Sequence, residues 1–227
     1  MDRTPSRWER LAPLTGLVFA VAFIVIFFIG SDTPDNDDKT SKWVDFYSKH
    51  DTREIAVSIA ATIAMVFFVW FAGTLRARLR AAEGSPGRLS NTMFGGAILF
   101  AVGALLFIAL DFAAADTVGD VPPQVTQTIG VLDNELFFPL IAGTSLFMLA
   151  AGLCVLRAGS LPRWLAWIAV VAGVVALTPV GFFAFLLSIV WVGVVSVLTY
   201  LRPATPAVDA AAPPPAAPPP PPAAPAV

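Results

Sequence analysis

This chain is poor in the residues that enzymes place at reaction centres. One cysteine, Cys154, among 227 residues excludes an intrachain disulfide and leaves too few thiolates for a cysteine-bound metal. One histidine, His50, excludes a bis-histidine haem and a His-Glu-x-x-His zinc site. There is no Gly-x-Ser-x-Gly elbow and no phosphate-binding loop. Gly95-Gly96 and Gly103 lie inside an apolar stretch with no strand before them, so they read as packing residues rather than a dinucleotide fingerprint. No basic patch invites nucleic acid, because the arginines sit at the ends of apolar runs. Catalytic residues, cofactors and metal ligands are therefore not expected. Charge itself is scarce, at 13% of residues against about 25% in soluble domains. Too little polar surface remains to coat a globule, and a mean hydropathy of +0.77 agrees.

The charge that is present is sorted. Segments 1–10, 76–92, 157–163 and 202–227 hold ten Arg, no Lys, and only Asp2, Glu9, Glu83 and Asp209. The intervening polar segments hold Lys39, Lys42, Lys49 and Arg53 against twelve carboxylates. One set is thus +6 and the other −8 within a net charge of −2. Lys and Arg are retained on the cytoplasmic face during insertion. The alternation therefore predicts an all-α, polytopic six-transmembrane-helix bundle with both termini cytoplasmic, in a bacterial cytoplasmic (inner) membrane. The expected spans are 11–30, 55–75, 93–111, 136–156, 161–177 and 182–201, within a transmembrane domain over 1–202. The first is read as an uncleaved span rather than a secretory signal, since its apolar run fills a hydrocarbon core of ~30 Å and no A-x-A pattern follows. The uncharged stretch 164–201 is too long for one crossing, and Pro179-Val180-Gly181 supplies the break. The tail 203–227 holds eleven Pro among 25 residues and reads as a disordered, partly polyproline-II extension.

Helix association in lipid depends on close packing of small residues. Ala97/Ala101, Ala169/Gly173, Ala172/Ala176, Ala184/Ser188 and Ser58/Thr62 mark the expected contact faces. The same faces could serve a protein partner or a homo-oligomer, and the bilayer is the one partner the composition demands. Trp43, Phe46, Tyr47 and His50 fall at i, i+3, i+4 and i+7, which predicts a short interfacial helix. The turns after Leu79 and after Leu156 resemble each other in their Arg, Gly, Ser and Pro, as a parallel repeat would, or as any two tight inner turns would.

The one candidate site is an ion or proton cluster on the outer face: His50, Glu54, Asp111, Asp133 and Glu135. His50, Glu54 and Ser58 fall at i, i+4 and i+8, a stripe that runs into span 2. Asp111 closes span 3, while Asp133, Asn134 and Glu135 open span 4. Ionisable residues at membrane depth often mark ion or proton paths, although interfacial water would hydrate the same groups without any function. Asp35-Asn36-Asp37-Asp38 fails as a calcium loop, since Lys39, Thr40 and Phe46 occupy the fifth, sixth and twelfth positions.

Phe71-Ala72-Gly73-Thr74-Leu75-Arg76, Leu79-Arg80-Ala81-Ala82-Glu83-Gly84 and Leu156-Arg157-Ala158-Gly159-Ser160-Leu161-Pro162-Arg163-Trp164-Leu165 are similar to segments of uncharacterised multi-span membrane proteins of actinobacteria. The resemblance covers roughly spans 2 to 5. It implies a small bacterial six-helix bundle and supplies no catalytic residues. On these grounds the chain is expected to be a non-enzymatic envelope or accessory membrane component, or alternatively a small ion- or proton-coupled solute transporter using the outer cluster.

Overall fold

A computed structural model describes residues 10–30, 33–84 and 86–202. The proline-rich tail, Arg3 and Arg7 lie outside the described residues. A 3-10 turn at Ala12–Leu14 leads into α1 (Thr15–Ile29), α2 (Thr40–Glu83), α3 (Arg88–Thr117), α4 (Pro123–Glu135), α5 (Phe137–Ala158), α6 (Arg163–Val175) and α7 (Gly181–Leu201). No strand occurs among the described residues. Among the described residues, five stretches are long and apolar enough to cross a membrane: Ala12–Ile29, Thr40–Glu83, Arg88–Thr117, Pro123–Ala158 and Gly181–Leu201.

Three elements depart from the expected spans. The interfacial helix and span 2 are one rod, because nothing between Thr40 and Glu83 breaks it: there is no proline, and Gly73 is the single glycine. The polar stretch between spans 3 and 4 is helical, as an extension of α3 to Thr117 and as the separate helix α4. The run expected at 161–177 yields an α6 of 13 residues. At ~1.5 Å per residue it measures about 20 Å, short of a ~30 Å core. Pro162 sits at its N-cap. Beyond its end, Pro179 offers no amide hydrogen and disfavours helical geometry at Thr178. The turn there keeps several of its own backbone hydrogen bonds, as a lipid environment favours. Leu177 N–H donates to Val174 O at 3.1 Å, Thr178 N–H to Val175 O at 3.0 Å, and Gly181 N–H to Thr178 O at 2.9 Å.

The helices close into a ring, with α1 against α2, α2 against α3, α3 against α5, and α7 back against α1; α6 packs on α5 and α7. The tightest seam is α3 on α5. A methyl group added to Gly143 would lie 2.2 Å from Phe100 N, and one on Gly96 would lie 2.4 Å from Phe147 N. Only glycine lets these backbones approach so closely. The pairs Ala97/Ala101, Ala169/Gly173, Ala172/Ala176 and Ala184/Ser188 are all buried inside the chain, as is Ser58, whereas Thr62 is exposed. Phenylalanines fill the middle: Phe68 and Phe100 have ring centroids 4.7 Å apart, and Phe19 lies 4.9 Å from Phe68. The outside is apolar as well. Phe28, Val66, Trp70, Phe138 and Phe183 are each more than 60% exposed, an arrangement suited to lipid and not to water.

The two ends differ chemically. At the arginine-rich end, the Arg78 guanidinium donates to Thr199 O at 3.1 Å and Arg76 to Asn91 Oδ1 at 2.9 Å. Glu83 accepts from the N–H groups of Leu89 and Ser90, both at 2.9 Å, and so caps the start of α3 across the turn. At the acidic end, Trp43, Phe46, Tyr47, Ala114 and Ala115 form a second small core, with Ile129 packed against it. Trp43 and Tyr47 are therefore covered by α3 and α4 rather than lying free at an interface.

Candidate functional site

The acidic end holds a cavity of about 600 Å³, bounded by every helix except α6. Glu54 and Ser58 reach it from successive turns of α2, Asp111 from α3, and Asp133 and Asn134 from the end of α4. Apolar walls complete it: Phe23 and Phe27 from α1, Phe107 from α3, Phe137 from α5, and Phe182 and Phe185 from α7. These rings support one another, with centroids 5.6 Å apart for Phe23 and Phe185 and 6.0 Å apart for Phe27 and Phe182.

The three carboxyl groups are held differently. Glu54 is buried and accepts from Arg53 Nε at 2.8 Å, and the two form an ion pair with the terminal nitrogen 2.7 Å from the same oxygen; Arg53 also lies over the Phe46 ring at 5.7 Å. Asp111 sits between two hydroxyls of α2. Tyr47 donates to Oδ1 at 3.3 Å and Ser58 to Oδ2 at 3.1 Å. Asp133 is only 3% exposed, and its Oδ1 is buried with no hydrogen-bond partner. Desolvating a carboxyl oxygen without a partner is costly, so Asp133 stands out on the cavity wall.

His50 and Glu135 lie elsewhere. The His50 ring contacts Phe46 O through Nδ1 at 2.9 Å and is not on the cavity wall. Glu135 is exposed and accepts from Asn36 Nδ2 at 2.8 Å. That contact belongs to a set tying the acidic turn onto α4. Asn134 Nδ2 donates to Asn36 Oδ1 at 2.9 Å, Thr40 Oγ1 to Gln127 Oε1 at 2.6 Å, and Gln127 Nε2 to Asp38 O at 3.2 Å. The Asn36 side chain and the Asp38 carbonyl of the turn are thus engaged with α4. Among the described residues, no three His, Cys, Asp or Glu side chains converge closely enough to hold a metal ion.

The sequence reading did not reach Tyr47 as a partner of Asp111, nor the six phenylalanines. Tyr47, Glu54 and Ser58 are spaced by seven and four residues, which places them on one face once α2 is a single helix. That spacing was the available signal. Trp43 fits beside Gly130 of α4 so closely that an added methyl would lie 2.2 Å from its ring. This contact seats α4, and with it Asp133, over the cavity.

No protein-family model matches the chain, and no curated protein or solved structure is significantly similar to it. Function must be argued from the site alone.

Proposed function

We propose that the chain is a multi-pass protein of a bacterial cytoplasmic membrane that binds and carries a small solute through its acidic-end cavity, without catalysing a covalent reaction. In this reading the short α6 and its hydrogen-bonded turn complete a sixth crossing. Both termini are cytoplasmic, and the cavity faces outward. The positive-inside sorting of arginine supports that orientation, and the internally bonded Ala176–Val180 turn supports the sixth crossing. One observation carries the functional part: Asp133, buried and unpartnered, lies on a cavity wall that also holds Glu54 and Asp111. The Phe19, Phe68, Phe100 and Phe147 cluster fills the bundle further in, which would close the path beyond the cavity, as in a carrier in one of its two states. A role as a passive accessory subunit acting through small-residue faces draws less support, because four of the five small-residue pairs are already covered within the chain and only Thr62 of the fifth is exposed.

The test is solute flux into proteoliposomes containing the full chain. Uptake that Asp133→Asn abolishes, in protein that remains monodisperse, is the expected result. A panel of organic cations, amino acids and sugars showing no uptake above protein-free vesicles would defeat the carrier reading.

A further inference from the structure

The class of the occupant can be argued further, resting on the carrier reading above. We infer that the acidic-end cavity accepts an organic monocation with an apolar body, its charge against Asp133 and Asp111 and its carbon frame against the phenylalanine rings.

Charge is the first argument. Among the described residues, no Lys, Arg or His side chain lies on the cavity wall, while the carboxyl groups of Glu54, Asp111 and Asp133 do. Arg53 pairs with Glu54, and no described Lys, Arg or His forms an ion pair with Asp133. The Asp111 oxygens already accept from two hydroxyls, whereas Asp133 Oδ1 accepts from nothing. An incoming cation supplies the counter-charge that the Asp133 carboxyl lacks among the described residues. An anion would find no basic side chain there among the described residues.

The second argument is the rest of the wall. Phenylalanine faces carry the negative part of the ring quadrupole and attract desolvated cations, which is how aromatic cages hold alkylammonium groups. Six rings beside carboxyl groups suit a cation that is itself partly apolar. A bare inorganic ion needs oxygen ligands on most sides, and no three acidic or His/Cys side chains converge here among the described residues. A proton path calls for a continuous polar chain, and the apolar side of this cavity has none. The volume of about 600 Å³ falls within the roughly 300–1,000 Å³ of small-molecule sites.

Equilibrium binding of radiolabelled tetraphenylphosphonium to the full-length protein in nanodiscs tests the class, with empty nanodiscs as background. Radiolabelled tetraphenylborate has the same shape and the opposite charge and is measured in separate samples, because the two ions precipitate together; calcium chloride serves as competitor. The expected result is no saturable binding of tetraphenylborate, and saturable tetraphenylphosphonium binding that calcium does not displace. Asp133→Asn should weaken it at least about tenfold, as loss of a buried charge partner does, while Asp133→Glu retains most of it. Phe185→Leu keeps an apolar side chain but removes a ring face, and should weaken binding several-fold even if Asp133→Asn does not fold. Binding that is absent, unchanged in both Asp133→Asn and Phe185→Leu, or matched by that of tetraphenylborate overturns the assignment; so does displacement by calcium. Flux of an uncharged solute that depends on Asp133, with no cation binding, would remove the cation assignment and leave the carrier reading standing. Cation binding without flux would do the reverse.

Discussion

Asp111 illustrates how one side chain joins two helices. Its oxygens are held by Tyr47 and Ser58 of α2 at 3.3 and 3.1 Å, so part of the α2–α3 contact at the acidic end is polar. Tyr47→Phe keeps the ring and removes the donor. The expected cost is about 1 kcal/mol or less, in line with hydrogen bonds inside membrane proteins. A double-mutant cycle with Asp111→Asn, read from unfolding in detergent, should show coupling; strictly additive effects would mean the bond contributes nothing. Asp38 gives a second residue-scale expectation, outside the spanning segments. The Lys42 ammonium donates to its carboxylate, and the Asp35 N–H donates to the same oxygen at 2.9 Å. Together these hold the Asp38 carboxyl below its usual value, Lys42 contributing most. A depressed carboxylate favours the folded turn above the ordinary aspartate range, and that contribution is lost as pH falls through the lowered value. Lys42→Met should therefore move the Asp38 titration, followed by carbon NMR, upward. An unchanged midpoint would show that the ion pair does not form in solution.

Helices meet here through small residues, and the α3–α5 seam gives the sharpest contrast. Gly143 faces backbone at 2.2 Å from a would-be methyl, whereas Gly95, on the same α3 as Gly96, has nothing within 4 Å. Gly143→Ala should destabilise by about 1–3 kcal/mol through overpacking. Gly95→Ala should be neutral or stabilise by up to about 1 kcal/mol, since alanine is the better helix former. Thermal unfolding in detergent distinguishes them, and equal effects would contradict the packing. Several elements were legible from apolar length and helix breakers. The core of α3 and of α5, the start of α7 and the break before it all follow from those signals. The helix α4 was not, for two reasons. Pro122-Pro123 reads as loop, yet proline is well suited to the first turn of a helix. Its buried residues are Thr126, Gly130 and Asp133, a small and polar face that hydrophobic periodicity does not reveal.

At the scale of the whole molecule, orientation is the property that labelling can read. Cys154 is the sole cysteine and is buried, so the native chain offers little background. Asp37→Cys places a thiol on the exposed acidic turn. Impermeant maleimide should label it on intact cells if that end is outside, and labelling only after lysis would reverse the proposed topology. The linear order of residues was enough to determine an all-helical, lipid-suited chain with charge sorted between two ends. Those properties depend on composition and spacing, which insertion reads segment by segment. Which carboxyl groups share a wall was decided only by tertiary structure. Glu54, Asp111 and Asp133 are separated by 57 and 22 residues along the chain, and they meet because Gly130 seats α4 against Trp43 while glycine contacts draw α3 onto α5. His50 and Glu135, also titratable and only four and two residues from Glu54 and Asp133, were turned elsewhere by that packing. Side-chain direction around a helix depends on what the helix rests against, and no local pattern carries that information.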